Sequence, residues 1–143
     1  TNTLFPYTTL FRSDLLGLRF VYKFSDPKRG DIIIFDCPDN KKEKYIKRVI
    51  GLPGETVTIE EGKIYIDGAK TPLVEDYLPD AWIFSTGPYE FQVPEGGYLV
   101  LGDNRNSSND ARFWENTYVM EDDIVGKAYV IYYPFSRVGS LYK

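Results

Sequence analysis

With no histidine anywhere in its 143 residues, this chain has no Ser/His/Asp or Cys/His route to nucleophilic catalysis and no imidazole to bind a metal or carry a proton. Acid–base chemistry must fall to lysine, aspartate, glutamate or tyrosine. Three stretches stand out. Lys28-Arg29-Gly30-Asp31-Ile32-Ile33-Ile34-Phe35 is a basic turn running into an apolar strand, a combination common enough in β proteins to read as structural. Tyr45-Ile46-Lys47-Arg48-Val49-Ile50-Gly51-Leu52-Pro53-Gly54-Glu55 places Lys47 in a strand-like run. A free lysine, with a pKa of about 10.4, is a poor base near neutrality, and only desolvation, which disfavours the ammonium form, brings it down. On a strand Lys47 shares a face with Tyr45 and Val49 while Ile46 and Arg48 face the other way, so an apolar surround is available. By itself Lys47 is one more solvent-facing lysine beside Lys41, Lys42 and Lys44. Arg48, on the opposite face, is expected to pair with a carboxylate as part of the structure.

The third stretch is Gly102-Asp103-Asn104-Arg105-Asn106-Ser107-Ser108-Asn109-Asp110-Ala111-Arg112. Its composition is that of a surface loop. Two acids and two arginines interleaved directly after a buried strand nonetheless predict a hydrogen-bonded charge network, able to hold a neighbouring ammonium in place.

The elements that must position these residues read as strands. Aromatics make up 16% of the chain, with 12 tyrosines against one methionine, a balance that favours strands over helices. Partly alternating apolar residues from Leu15 to Phe24, the run Asp31–Asp36, and Tyr45–Ile50 are strand candidates separated by Pro- and Asp-containing turns. Gly51-Leu52-Pro53-Gly54 carries Pro then Gly for the centre of a type II turn. Thr56–Glu60 and Lys63–Asp67 flank Glu61-Gly62 as a hairpin. Residues 69–90 read mostly as loop; Phe91-Gln92-Val93-Pro94 follows, and Tyr98–Leu101 is a strand feeding the Gly102 loop. Val119–Val125 contains a helical turn or a bend, and Gly126–Pro134 is the last strand. No window keeps helical periodicity over three turns, and there is no internal repeat. The fold class that follows is mainly β: antiparallel strands forming a folded barrel or sandwich with long loops and little helix.

Composition also excludes. A net charge of -4 and a single basic run, Lys41 to Arg48, leave no face for phosphate neutralisation, so no nucleic-acid partner is expected. Cys37 stands alone, which rules out an intrachain disulfide and a cysteine-based zinc site. No stretch of 18 apolar residues is present, so nothing in the chain reads as a transmembrane helix.

Taken together, the three blocks resemble those of the type I bacterial signal peptidases, membrane-associated serine endopeptidases with a Ser/Lys dyad, and the likeness runs over about residues 14–143. The last block carries most of it: Gly-Asp-Asn-Arg, then Asn-Ser, one variable residue, Asp, a small residue and Arg. The resemblance implies that Lys47 is the general base, that Ser108 hydrogen-bonds it, and that Asp110, Arg112 and Asp103 support the loop around it. It implies no metal and no cofactor. Partners would be signal-peptide-bearing preproteins and the extracytoplasmic surface of the bacterial cytoplasmic membrane, with an anchor missing from this chain. The family nucleophile belongs to a segment of the type Ser-Met-x-Pro-Thr-Leu before the first long strand. Aligning Asp14 with the aspartate that follows that segment puts Phe5 at the serine and Thr8 at the proline, leaving Thr9-Leu10 as the match. Thr8, Thr9 and Ser13 are the hydroxyls nearby. Residues 1–13 therefore read as a non-native or misjoined leader, and the chain as given is expected to be inactive. Two other readings remain: a noncatalytic peptide-binding or membrane-surface module on the same fold, and a self-cleaving repressor-type Ser/Lys domain, against which the Gly102–Arg105 block argues.

Overall fold

A computed structural model describes residues 4–10, 16–22 and 25–132. Among the described residues ten strands follow in order: β1 Leu4–Leu10, β2 Leu16–Tyr22, β3 Ile32–Cys37, β4 Asn40–Gly51, β5 Thr56–Glu60, β6 Lys63–Ile66, β7 Tyr89–Gln92, β8 Gly97–Leu101, β9 Val119–Met120 and β10 Ile124–Tyr132, with one 3-10 turn at Glu121–Asp123. Seven form a sheet in the order β1-β2-β10-β3-β4-β8-β9, and three form a second sheet in the order β6-β5-β7. Every pairing is antiparallel. The mainly β architecture expected from composition is present, but the large sheet keeps two edges, β1 and β9, and does not close into a barrel among the described residues.

Local chemistry accounts for the turns. Pro53 and Gly54 occupy the centre of the Leu52–Glu55 turn, closed by Glu55 N–H donating to Leu52 O at 3.1 Å, and Gly54 has φ +83°, the left-handed value a type II turn demands at that position. In the β5–β6 hairpin Glu61 and Gly62 have φ +51° and +74°, both positive as a two-residue type I′ connection requires. The helical turn or bend expected within Val119–Val125 is the 3-10 turn.

Two differences from the sequence reading are larger than a residue or two at a strand end. β4 starts at Asn40 rather than Tyr45, because Asp36 and Cys37 of β3 pair with Lys44 and Asn40; ladder hydrogen bonds impose strand geometry on a lysine-rich run whose side chains stay in water. β1 falls within residues 1–13, where no strand period was read, and it pairs with β2 at Thr8–Arg19, Thr9–Leu18 and Leu10–Gly17. Phe5 belongs to β1; Asp14, which places the expected serine, and Ser13, one of the nearby hydroxyls, lie outside the described residues, as does the end of the last strand reading at Tyr133-Pro134.

The core joins the two sheets. Ile33 and Phe35 of β3, Val49 and Ile50 of β4 and Leu99, Val100 and Leu101 of β8 bury against Val57 and Ile59 of β5 and Ile64 of β6. All five residues of β8 are buried, so this strand runs through the centre and delivers the chain at Gly102 directly from core to loop.

Candidate active site

Lys47 lies in β4 opposite Ile33 of β3. Strand alternation sends Lys47 and Tyr45 to one face, where the Lys47 ammonium is 5.7 Å from the centre of the Tyr45 ring, and sends Arg48 to the other. Lys47 Nζ donates to Ser108 Oγ at 3.1 Å, across 61 residues of sequence. Burial pushes the Lys47 amine below its ordinary pKa, opposed in part by Asp110 and assisted by Arg112. Desolvation outweighs the nearby carboxylates because Asp110 is already occupied.

That occupation is a buried ion pair. Arg112 Nε and Nη2 donate to Asp110 Oδ1 and Oδ2, both at 2.8 Å, with the two side chains 1% and 0% exposed. Asp110 also accepts Gly102 N–H at 2.9 Å and Arg112 N–H at 3.2 Å, so its carboxylate is satisfied by charge and backbone together. The network expected of the loop is formed. Asp103 takes a different partner, accepting from Arg48 Nε at 2.8 Å and Nη2 at 2.7 Å; Arg48, read as structural, thus holds the carboxylate that supports the loop, and donates to Gly30 O at 2.8 Å as well. The first block is structural too. Arg29 forms a fork to Glu55 and donates to Ile50 O at 3.2 Å, tying the Gly30 turn to the end of β4.

Gly102 is the residue on which these parts converge. A Cβ there would lie 2.0 Å from Ser108 Oγ and 3.3 Å from Lys47 Nζ, so hydroxyl and amine both rest against its bare Cα. The Gly-Asp-Asn-Arg block is legible as a motif, but nothing in sequence shows which side chain folds back onto a glycine.

The stretch 69–90, which reads mostly as loop in the sequence, also packs against these residues. Glu75 receives Arg105 Nη1 at 2.9 Å and Nη2 at 2.5 Å. The Tyr77 ring lies 3.9 Å from the Arg48 guanidinium, and Trp82 lies under Arg105 at 4.9 Å and Arg112 at 5.4 Å, arrangements that add cation–π attraction to packing. Burial, then the Glu75 carboxylate, push the Tyr77 hydroxyl pKa up, and it donates to Glu75 Oε2 at 2.7 Å. Asn106 Oδ1 accepts N–H of Ile83 at 2.8 Å and Phe84 at 3.0 Å. Trp82 therefore packs inward while Ile83 and Phe84 stay 71% and 67% exposed.

Chemically, the arrangement is a half-buried amine held beside a hydroxyl and a neutralised ion pair, suited to accepting a proton. No helix among the described residues is long and apolar enough to cross a membrane.

The profile of the family described as "Signal peptidase, peptidase S26" matches residues 7–133. A signal peptidase I of Leptolyngbya laminosa is 44% identical over 134 residues, 89% of this chain and 63% of that protein. A probable signal peptidase I-2 of Synechocystis sp. is 40% identical over 125 residues, 84% of this chain and 55% of that protein. The chain thus spans less than two thirds of either relative. A crystal structure of a signal peptidase I from Enterococcus faecalis superposes with a TM-score of 0.61 at 35% identity, covering 73% of this chain and 98% of that one. With a profile match across most of its length and relatives well above 30% identity, the chain belongs to the signal peptidase, peptidase S26 family.

Proposed function

We propose that residues 14–143 are the body of a signal peptidase I-like serine endopeptidase whose general base is Lys47, with Ser108, Asp110, Arg112 and Asp103 holding that lysine. The observation that carries this reading is the Lys47 Nζ to Ser108 Oγ contact of 3.1 Å at an amine whose pKa is lowered by burial. In the complete unit the neutral amine takes the proton of a serine hydroxyl as its oxygen attacks the scissile carbonyl, and the resulting ammonium protonates the leaving amine. Substrates are signal-peptide-bearing preproteins cut after small side chains, bound as an added strand. The site works at the extracytoplasmic face of the bacterial cytoplasmic membrane. Residues 1–13 are a non-native leader standing where the nucleophile segment belongs, with Phe5 at the serine position, so this chain is itself inactive.

The test is to replace residues 1–13 with a Ser-Met-x-Pro-Thr-Leu-type segment and assay cleavage of a signal peptide ending in small residues. Cleavage is expected in the restored chain and absent from the present one, and Lys47→Ala in the restored chain lowers kcat by about 10⁴-fold or more. The rate rises with pH through the lysine's lowered pKa, because only the neutral amine accepts a proton. Cleavage that survives Lys47→Ala removes the dyad. A second reading, a noncatalytic peptide-binding module, is favoured by Phe5 at the expected serine; it predicts that the restored chain binds the peptide without cutting it.

A further inference from the structure

Glu75 lies 27 residues before the signature loop and outside every strand, yet it is 8% exposed and faces an arginine that is 1% exposed. Each of the three side-chain nitrogens of that arginine has a partner. Arg105 Nη1 and Nη2 donate to Glu75, and Arg105 Nε donates to Gly102 O at 2.8 Å. Gly102 N–H, on the other side of the same residue, goes to Asp110. The Arg105 carbonyl in turn accepts Arg112 Nη2 at 3.2 Å. Gly102 is thereby held through both its backbone groups, one by Asp110–Arg112 and one by Arg105–Glu75, and it is the surface against which Ser108 Oγ and Lys47 Nζ rest. Tyr77 closes a second path: its hydroxyl donates to Glu75 and its ring covers Arg48, which binds Asp103, the residue after Gly102.

We propose that Glu75 is a positioning residue, which fixes Gly102 through Arg105 and so sets the contact between Lys47 and Ser108, and that stretch 69–90 is a wall of the site rather than a spacer. The physical reason is charge. An arginine removed from water needs a carboxylate partner in bidentate geometry to remain in place. Without Glu75 the Arg105 guanidinium turns toward solvent or toward the occupied Asp110 and Asp103, and in either case releases the Gly102 carbonyl. The proposal rests on the reading of Lys47 as the base for its functional meaning, but its geometry is testable without activity.

The experiment uses the 143-residue chain with ¹³C-labelled lysine and serine. The readouts are the cross-peak between the Lys47 ε-methylene and the Ser108 β-methylene and the titration of the Lys47 amine. Glu75→Gln, nearly isosteric, is expected to abolish the cross-peak and to move the titration upward toward ordinary lysine as water enters. Glu55→Gln breaks the comparable Arg29 fork away from the loop and is expected to lower stability while leaving both readouts unchanged. Tyr77→Phe, which removes only the hydroxyl donating to Glu75, is expected to weaken the cross-peak and covers the case in which Glu75→Gln fails to fold. An unchanged cross-peak in every folded Glu75 and Tyr77 variant overturns the proposal, as does an equal loss in Glu55→Gln. A Lys47 amine that titrates as an ordinary lysine in the unsubstituted chain overturns the base reading instead, and the cross-peak still decides the role of Glu75.

Discussion

At Gly102 it is the absence of a side chain that the packing requires. Ser108 folds back across it and Lys47 reaches down to it, so an added methyl must displace one or both. Gly102→Ala is expected to cost about 1–3 kcal/mol by forcing side chains off their positions and to break the Lys47–Ser108 contact; urea unfolding and the same cross-peak measure both. A variant as stable as its parent with the contact intact contradicts the packing described. Lys47 shows how neighbouring charges can leave desolvation dominant. Asp110 sits close enough to raise the lysine's pKa, but Arg112 holds that carboxylate in a fork and itself acts in the opposite direction. From residue types alone a charge network in this loop was readable; that Asp110 would pair within the loop while Asp103 reached out to Arg48 was not, since both pairings are equally compatible with the order of residues.

At the level of elements, β4 does two tasks with its two faces. It points Lys47 at Ser108 and Arg48 at Asp103, and a slip of one residue would exchange the two. Register is held by β3 on one side and β8 on the other, and by the close approach at Gly51, where a Cβ would meet Val57 Cγ2 at 2.8 Å and Leu99 Cβ and Val93 Cγ2 at 3.0 Å. Gly51→Ala is therefore expected to destabilise by about 1–3 kcal/mol through overpacking in the core, seen as a lower urea midpoint at unchanged slope. A neutral substitution would mean that the two sheets are not pressed together there. The Glu61-Gly62 hairpin and the Pro53-Gly54 turn were legible because their dihedrals depend on the residues at the turn. The early start of β4 was not, because partner strands rather than propensity make Lys41 to Lys44 extended.

Across the whole molecule one core serves both sheets, so they are expected to unfold together. Ile59→Ala in the small sheet and Leu99→Ala in the large one should each lower a single common transition by about 2–5 kcal/mol, measured by circular dichroism and tyrosine fluorescence on the same samples. Two separate transitions would show that the small sheet is an independent unit. Sequence by itself determined the mainly β class, the two diagnostic turns, the exclusion of histidine chemistry and the family, because composition, turn dihedrals and short ordered blocks are local properties. Tertiary structure alone decided that the large sheet stays open among the described residues, that Asp103 belongs to Arg48, and that Glu75, Tyr77 and Trp82 pack against Arg48, Arg105 and Arg112. Those outcomes depend on which charges and rings meet across tens of residues, and buried arginines select partners by geometry and desolvation rather than by distance along the chain.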